Sequence, residues 1–255
     1  MKKLKPVLLP LVLALTASVG CSGPKPVIGE EVASKRAAPP APFQSTGSCL
    51  PSLIEDLKVE WPNNEIINIV AFGHSVPAGY GDTTEVQMLD AYPRQLENAL
   101  SAKYRRAVLN VINSGVGGND SQRGLKRIQR DVLDHHPRVV LIDFALNDRG
   151  IPLERSRENL IEIVERVRAV GACPVLLTPT WDLTSNFEDP NDPLVKQVAM
   201  IRAIAAEQSA PLADSYAAFL QFDGDRRSLM ATFNHPNRAG HQLVLGRLLP
   251  LFEEK

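Results

Sequence analysis

Two hydrophobic periods alternate along most of the chain. Apolar runs rich in β-branched residues occur at 66–72, 107–112, 139–144, 174–178 and, more weakly, 210–214. Their length and content predict strands. Between them, apolar residues recur every three to four positions: Leu89, Tyr92, Leu96 and Leu100; then Leu125, Ile128 and Val132; then Leu160, Ile163, Val164 and Val167. This spacing predicts helices over 87–104, 121–133 and 153–170, with two more over 194–208 and 237–251. The strand runs are apolar throughout rather than alternating, which predicts a parallel sheet buried on both faces. Right-handed crossovers then give a three-layer α/β/α sandwich with about five strands. In such a sheet, ligands bind outside the C-terminal ends of the strands.

The first sixty residues break this pattern. Lys2, Lys3 and Lys5 precede an uncharged run from Pro6 to Gly20. A basic start and a short apolar stretch have the form of a secretory signal, too short to span a membrane comfortably. Residues 1–20 are therefore expected to be a signal peptide. The run ends Ser18-Val19-Gly20-Cys21, which resembles the lipobox of bacterial lipoproteins, with Ser18 where that motif usually has Leu. The resemblance implies lipidation of Cys21 and anchoring in a bacterial envelope; plain secretion is the alternative. Ser22 after the cysteine leans towards the outer membrane if the cell is Gram-negative. Residues 21–60 are expected to be a tether, since Pro24, Pro26, Pro39, Pro40 and Pro42 lie among Ala, Ser and Gly. The folded domain is expected over 61–255.

Composition narrows the function classes. The 255 residues carry a net charge of −1, and removal of the signal takes three lysines and no acid. No basic run suggests nucleic-acid binding. Three cysteines without ligand spacing argue against a zinc site. With Cys21 lipidated, Cys49 and Cys173 remain as a pair that an exported protein could join.

The predicted strand ends carry the chemistry. The first ends in Gly73-His74-Ser75-Val76, the second in Asn113-Ser114-Gly115-Val116-Gly117-Gly118, and the third in Ala145-Leu146-Asn147-Asp148. Asn234-His235-Pro236-Asn237 precedes the last helix. A serine, glycine-rich backbone, an asparagine amide and a histidine supply a nucleophile, oxyanion donors and a base for acyl transfer. The glycine turn lacks Gly-Lys-Ser/Thr and does not follow the first strand, so a phosphate loop is a poor fit.

These four blocks, in this order over residues 66–251, resemble the SGNH (GDSL-type) hydrolases. The resemblance implies a flavodoxin-like sheet and a metal- and cofactor-independent esterase, lipase, thioesterase or deacetylase. It makes Ser75 the nucleophile and His235 the base, with Ser75, Gly118 and Asn147 forming the oxyanion hole. Three positions depart from the family pattern. His74 replaces an Asp and is read as a structural or rim residue. Ala145 replaces a Gly. Thr232 stands three before His235, where the family usually has the Asp that orients the imidazole. Either Thr232 or a backbone carbonyl holds the ring, or a carboxylate arrives from elsewhere, with Asp182, Asp223 and Asp225 as candidates. The expected activity is hydrolysis of a carboxylic ester on an acylated carbohydrate, a cell-wall sugar or a lipid. The alternative is a binding module for acylated glycans. Pro77, Val116, Trp181 and Phe187 are candidates to line an acyl pocket.

Overall fold

The computed structural model describes residues 49–254. The predicted signal segment, Cys21 and the proline-rich stretch up to residue 48 lie outside the described residues. Five parallel strands form one sheet: β1 (Ile66–Gly73), β2 (Val108–Gly115), β3 (Val139–Asp143), β4 (Cys173–Leu177) and β5 (Leu212–Ala213), in the order β2-β1-β3-β4-β5. The expected parallel sheet is therefore present. Its strand order reverses between β1 and β3, where binding sites of open α/β sheets form.

Helices cover both faces. Along β1, Ile69 and Ala71 enter one core while Val70 and Phe72 enter the other, as the two-residue strand period requires. The first core is closed by α1 (Leu50–Asp56), α3 (Tyr92–Lys103), α8 (Ser215–Leu220) and α9 (Arg238–Leu248). The second is closed by α4 (Ser121–Asp131), α6 (Leu153–Ala169) and the inner face of α7 (Pro193–Glu207). Two single-turn helices, α2 (Ser75–Ala78) and α5 (Ala145–Asp148), sit directly after β1 and β3.

Several boundaries differ from the periodicity. The helix expected over 87–104 starts at Tyr92, with Pro93 in its first turn, where a missing N–H costs nothing. The residues before it form a loop whose Gln87 N–H donates to the Gly79 carbonyl, and Leu89 points into solvent. The last helix ends at Leu248 and continues as a 3₁₀ turn over Leu249–Phe252, because Pro250 cannot extend the α-helical ladder. The fifth strand shrinks to two residues.

The main correction concerns α1, in the stretch assigned to the tether. Leu50, Leu53 and Leu57 are buried in the first core. Cys49, just before α1, is disulfide-bonded to Cys173, the first residue of β4 and 124 positions away. Residues 49–60 thus belong to the fold. Leu50, Leu53, Ile54 and Leu57 recur at helical spacing, a signal that the proline-rich composition upstream had masked.

Candidate active site

Ser75 is the first residue of α2, at the end of the central strand β1. His74 caps that helix: its Nδ1 accepts the Val76 N–H at 3.2 Å. Gly79 in the left-handed region (φ 95°) ends it. Ser75 is thereby held on a tight turn, with the N–H groups of a helix start around it. The Ser75 Oγ lies 2.8 Å from His235 Nε2, across 160 residues of sequence.

The His235 loop is built by its own backbone. The N–H groups of Ala231 and Thr232 both donate to the His235 carbonyl, at 2.9 and 3.2 Å. Thr232 Oγ1 lies 3.0 Å from His235 Nδ1 and accepts the His235 N–H at 3.1 Å. A base that receives the serine proton at Nε2 must carry its own proton on Nδ1. In that tautomer Nδ1 donates to Thr232 Oγ1, whose hydroxyl hydrogen is then directed to Asn234 Oδ1 at 3.4 Å. The ring is oriented, but by a neutral oxygen. Burial, and beside it the His74 ring, hold His235 below the usual imidazole pKa, so it is a neutral acceptor at physiological pH.

The oxyanion candidates converge on the same edge. Gly118 follows β2 with φ 72° and open space where a Cβ would lie, so glycine is needed there for conformation rather than room. Asn147, on α5 after β3, donates one Nδ2 hydrogen to the Asn119 carbonyl at 2.9 Å. The second amide hydrogen is left for a substrate oxygen.

Two side chains invisible to motif reading hold these pieces together. Asp148 is fully buried; it accepts the Ser121 N–H at 2.7 Å and the Ser156 hydroxyl at 2.6 Å, tying α5 to the start of α4. Desolvation raises its pKa against those hydrogen bonds. Arg127 reaches back from α4 to the Gly73 and Ser114 carbonyls, both at 2.8 Å, and to Asn119 Oδ1 at 2.9 Å. One guanidinium thus spans the ends of β1 and β2 and the glycine turn. Tyr80 stacks beside His235, with ring centroids 6.4 Å apart, and stands partly exposed at the mouth.

Asp182 is not at the imidazole. It is fully buried, pairs with the Arg149 guanidinium at 2.8 Å, and accepts the Thr184 N–H and hydroxyl at 2.8 and 2.6 Å. Asp225 caps a 3₁₀ turn through the Arg227 N–H, and Asp223 is exposed. Asp182→Asn is expected to lower stability by about 2–3 kcal/mol through the stranded arginine, while kcat stays within about tenfold of wild type. A thermal melt beside steady-state kinetics checks both. His74 is not a rim residue either; it is 1% exposed. Trp181 and Phe187 pack on one another at 5.3 Å, with Arg226 over both rings, and Pro77 is buried within α2. Val116 and Phe187 are the partly exposed members of the expected pocket lining.

The model of the GDSL-like Lipase/Acylhydrolase family matches residues 71–243, from β1 through the base loop into α9. The chain belongs to that family. Among curated relatives, an uncharacterized lipoprotein YqeF of Bacillus subtilis is 34% identical over 123 residues, 44% of this chain and 47% of the relative. Thioesterase 1/protease 1/lysophospholipase L1 of Escherichia coli K12 is 30% identical over 43% of this chain and 49% of its own length. The chain thus spans about half the length of these relatives. The lipase/acylhydrolase of Enterococcus faecalis superposes with a TM-score of 0.60 at 25% identity, over 72% of this chain and 94% of the other. Axe2, an acetylxylan esterase of Geobacillus stearothermophilus, gives 0.64 at 21% identity over 78% and 97%, a likeness of fold alone.

Proposed function

We propose that the chain is a serine esterase working through an acyl-enzyme. Ser75 Oγ attacks an ester carbonyl as its proton passes to His235 Nε2. The Ser75 and Gly118 N–H groups and the free Asn147 amide hydrogen receive the oxyanion, each such donor being worth about 10²–10³ in turnover. His235 then gives the proton to the departing alkoxide, the alcohol leaves, and a water deprotonated by the same ring hydrolyses the acyl-serine. The observation that carries this reading is the 2.8 Å contact between Ser75 Oγ and His235 Nε2, with Thr232 Oγ1 at 3.0 Å from the ring's other nitrogen.

The substrate class we favour is a small acyl group on a carbohydrate. Acetylxylan esterases share the fold, and an arylesterase of Vibrio mimicus is 28% identical over 43% of this chain. No long apolar insertion interrupts the described residues to form a lid over a fatty chain. A fluorophosphonate probe is expected to label wild-type protein at Ser75, and peptide mapping identifies the residue. An unlabelled, folded protein would favour the non-catalytic binding module instead.

For the N-terminus the favoured reading is export with lipidation at Cys21, supported by the naming of the Bacillus relative as a lipoprotein. Palmitate labelling that disappears in Cys21→Ala is the expected result; unlabelled wild-type protein points to plain secretion.

A further inference from the structure

The neutral Thr232 behind His235 leaves a question of charge. Proton transfer to His235 creates an imidazolium beside a buried serine, and the Thr232 hydroxyl offers no negative charge to balance it. A buried carboxylate does stand nearby, behind the other imidazole. Asp143, the last residue of β3, is 3% exposed, and its Oδ1 lies 3.4 Å from His74 Nε2. His74 Nδ1 lies 3.5 Å from Ser75 Oγ.

We propose that Asp143 is the carboxylate of this active site, a positioning residue that acts on Ser75 through His74 rather than through His235. The inference rests on the esterase reading above and extends it.

The hydrogen-bond pattern fixes the direction. His74 Nδ1 accepts the Val76 N–H, so that nitrogen carries no proton. The ring's proton is on Nε2 and faces Asp143. The second carboxylate oxygen accepts the Tyr92 hydroxyl at 3.3 Å. Burial and the Asp143 charge push that hydroxyl's pKa well up, so it remains a donor. Among the described residues no Lys or Arg pairs with Asp143. Its charge is therefore met by one donor, the Tyr92 hydroxyl, with His74 Nε2 at 3.4 Å and short of a hydrogen bond, in a dry site where a charge acts at longer range than in water. The backbone explains how it comes so close. Gly73 pairs with Asp143 across β1 and β3, and a Cβ on Gly73 would lie 2.3 Å from the Asp143 carbonyl oxygen.

The chemistry requires no extra proton. His74 keeps its Nε2 hydrogen and Asp143 stays ionised throughout. The His74 Nδ1 lone pair is already taken by the Val76 N–H, so the serine hydrogen has His235 Nε2, at 2.8 Å, as its acceptor. As that hydrogen moves, the negative charge of Asp143 works against the His74 ring, which by itself disfavours positive charge on His235. His74 thus covers two tasks at a position where a shorter Asp would serve as a cap alone: it caps α2 and reaches Asp143.

Other groups also face this cluster. His241 on α9 accepts the Tyr92 N–H through Nδ1, and burial lowers its pKa to about 3, so it is neutral in the working range. Asp90 lies before α3 and acts on His241. Arg127 meets the Gly73 carbonyl from α4. None of these changes in the variants below.

The test compares pH profiles of kcat and KM on p-nitrophenyl acetate for Asp143→Asn, His74→Asn, Thr232→Asp and the two pairings with Thr232→Asp. Asp143→Asn is expected to lower kcat about 10²-fold with KM unchanged. Removing a negative charge destabilises the imidazolium, so the acid limb of kcat/KM moves to lower pH. In the Thr232→Asp background, with a carboxylate restored behind His235, the same substitution is expected to cost less than about threefold. A merely structural role would cost the same in both backgrounds and leave the limb unmoved. Either result, or near-wild-type turnover in Asp143→Asn, overturns the inference. His74→Asn keeps a capping oxygen and should reproduce the loss and its relief by Thr232→Asp. It decides the matter should Asp143→Asn fail to fold. If the wild type itself neither turns over nor takes the fluorophosphonate, the esterase reading has failed instead.

Discussion

Replacing His235 with alanine is expected to lower kcat on p-nitrophenyl acetate by about 10⁴-fold with little change in KM. Its Nε2 is the group at 2.8 Å from the Ser75 hydroxyl, and its loop binds it through four backbone and hydroxyl contacts. His74 cannot take over. Its near nitrogen already accepts the Val76 N–H, and protonating it would break the cap on which Ser75 sits. Ser75→Ala should fall as far, and the double variant no further, because the two side chains act as a unit. Steady-state kinetics on the three proteins, beside matched circular dichroism, checks this. A His235→Ala loss below about tenfold would mean that proton transfer at the serine is not what limits the reaction.

The second large effect concerns stability. The Cys49–Cys173 bridge closes a loop with a separation of 124 residues. The chain-entropy relation for such a loop gives about 5 kcal/mol, which for a domain of this size corresponds to a fall in Tm of about 10–20 °C. Reduction of the native protein, or Cys173→Ser, is expected to produce that fall while the remaining folded enzyme keeps its kcat at 25 °C, since the bridge lies at the sheet edge away from Ser75. Differential scanning calorimetry with and without reductant measures it. A shift under about 3 °C would show that α1 stays docked on its leucines without the bridge.

Much of this molecule is legible in its sequence, and the reason is local. Each of Ser75, Gly118 and Asn147 follows an apolar run that can only be a buried parallel strand, so strand prediction alone brings them to one edge. Thr232 is within three residues of His235, and the contact between them follows from a single tight turn. What was not legible depends on long-range pairing. Asp143 closes an apolar run and looks like any polar strand end. Its relation to His74 follows from the pairing of β1 with β3, which brings Gly73 beside it. Asp182 looked like a free carboxylate after the fourth strand because its partner, Arg149, comes from another loop. Arg127 was one basic residue among several on a helix, and its three carbonyl and amide acceptors lie on three separate segments. The helix α1 was hidden by composition, since a few leucines after a proline-rich stretch do not move a regional average.

The disulfide also has a mechanical meaning. Cys173 begins β4, whereas Ser75 follows the far end of β1, and the two strands run parallel in one sheet. A pull applied at residue 49 enters the domain at the edge remote from the nucleophile. It passes through the sulfur bridge straight into a central strand, loaded along its length, and bypasses α1. Force on the described N-terminal end would thus enter at the strand ends opposite Ser75, with the sheet between the point of entry and that serine.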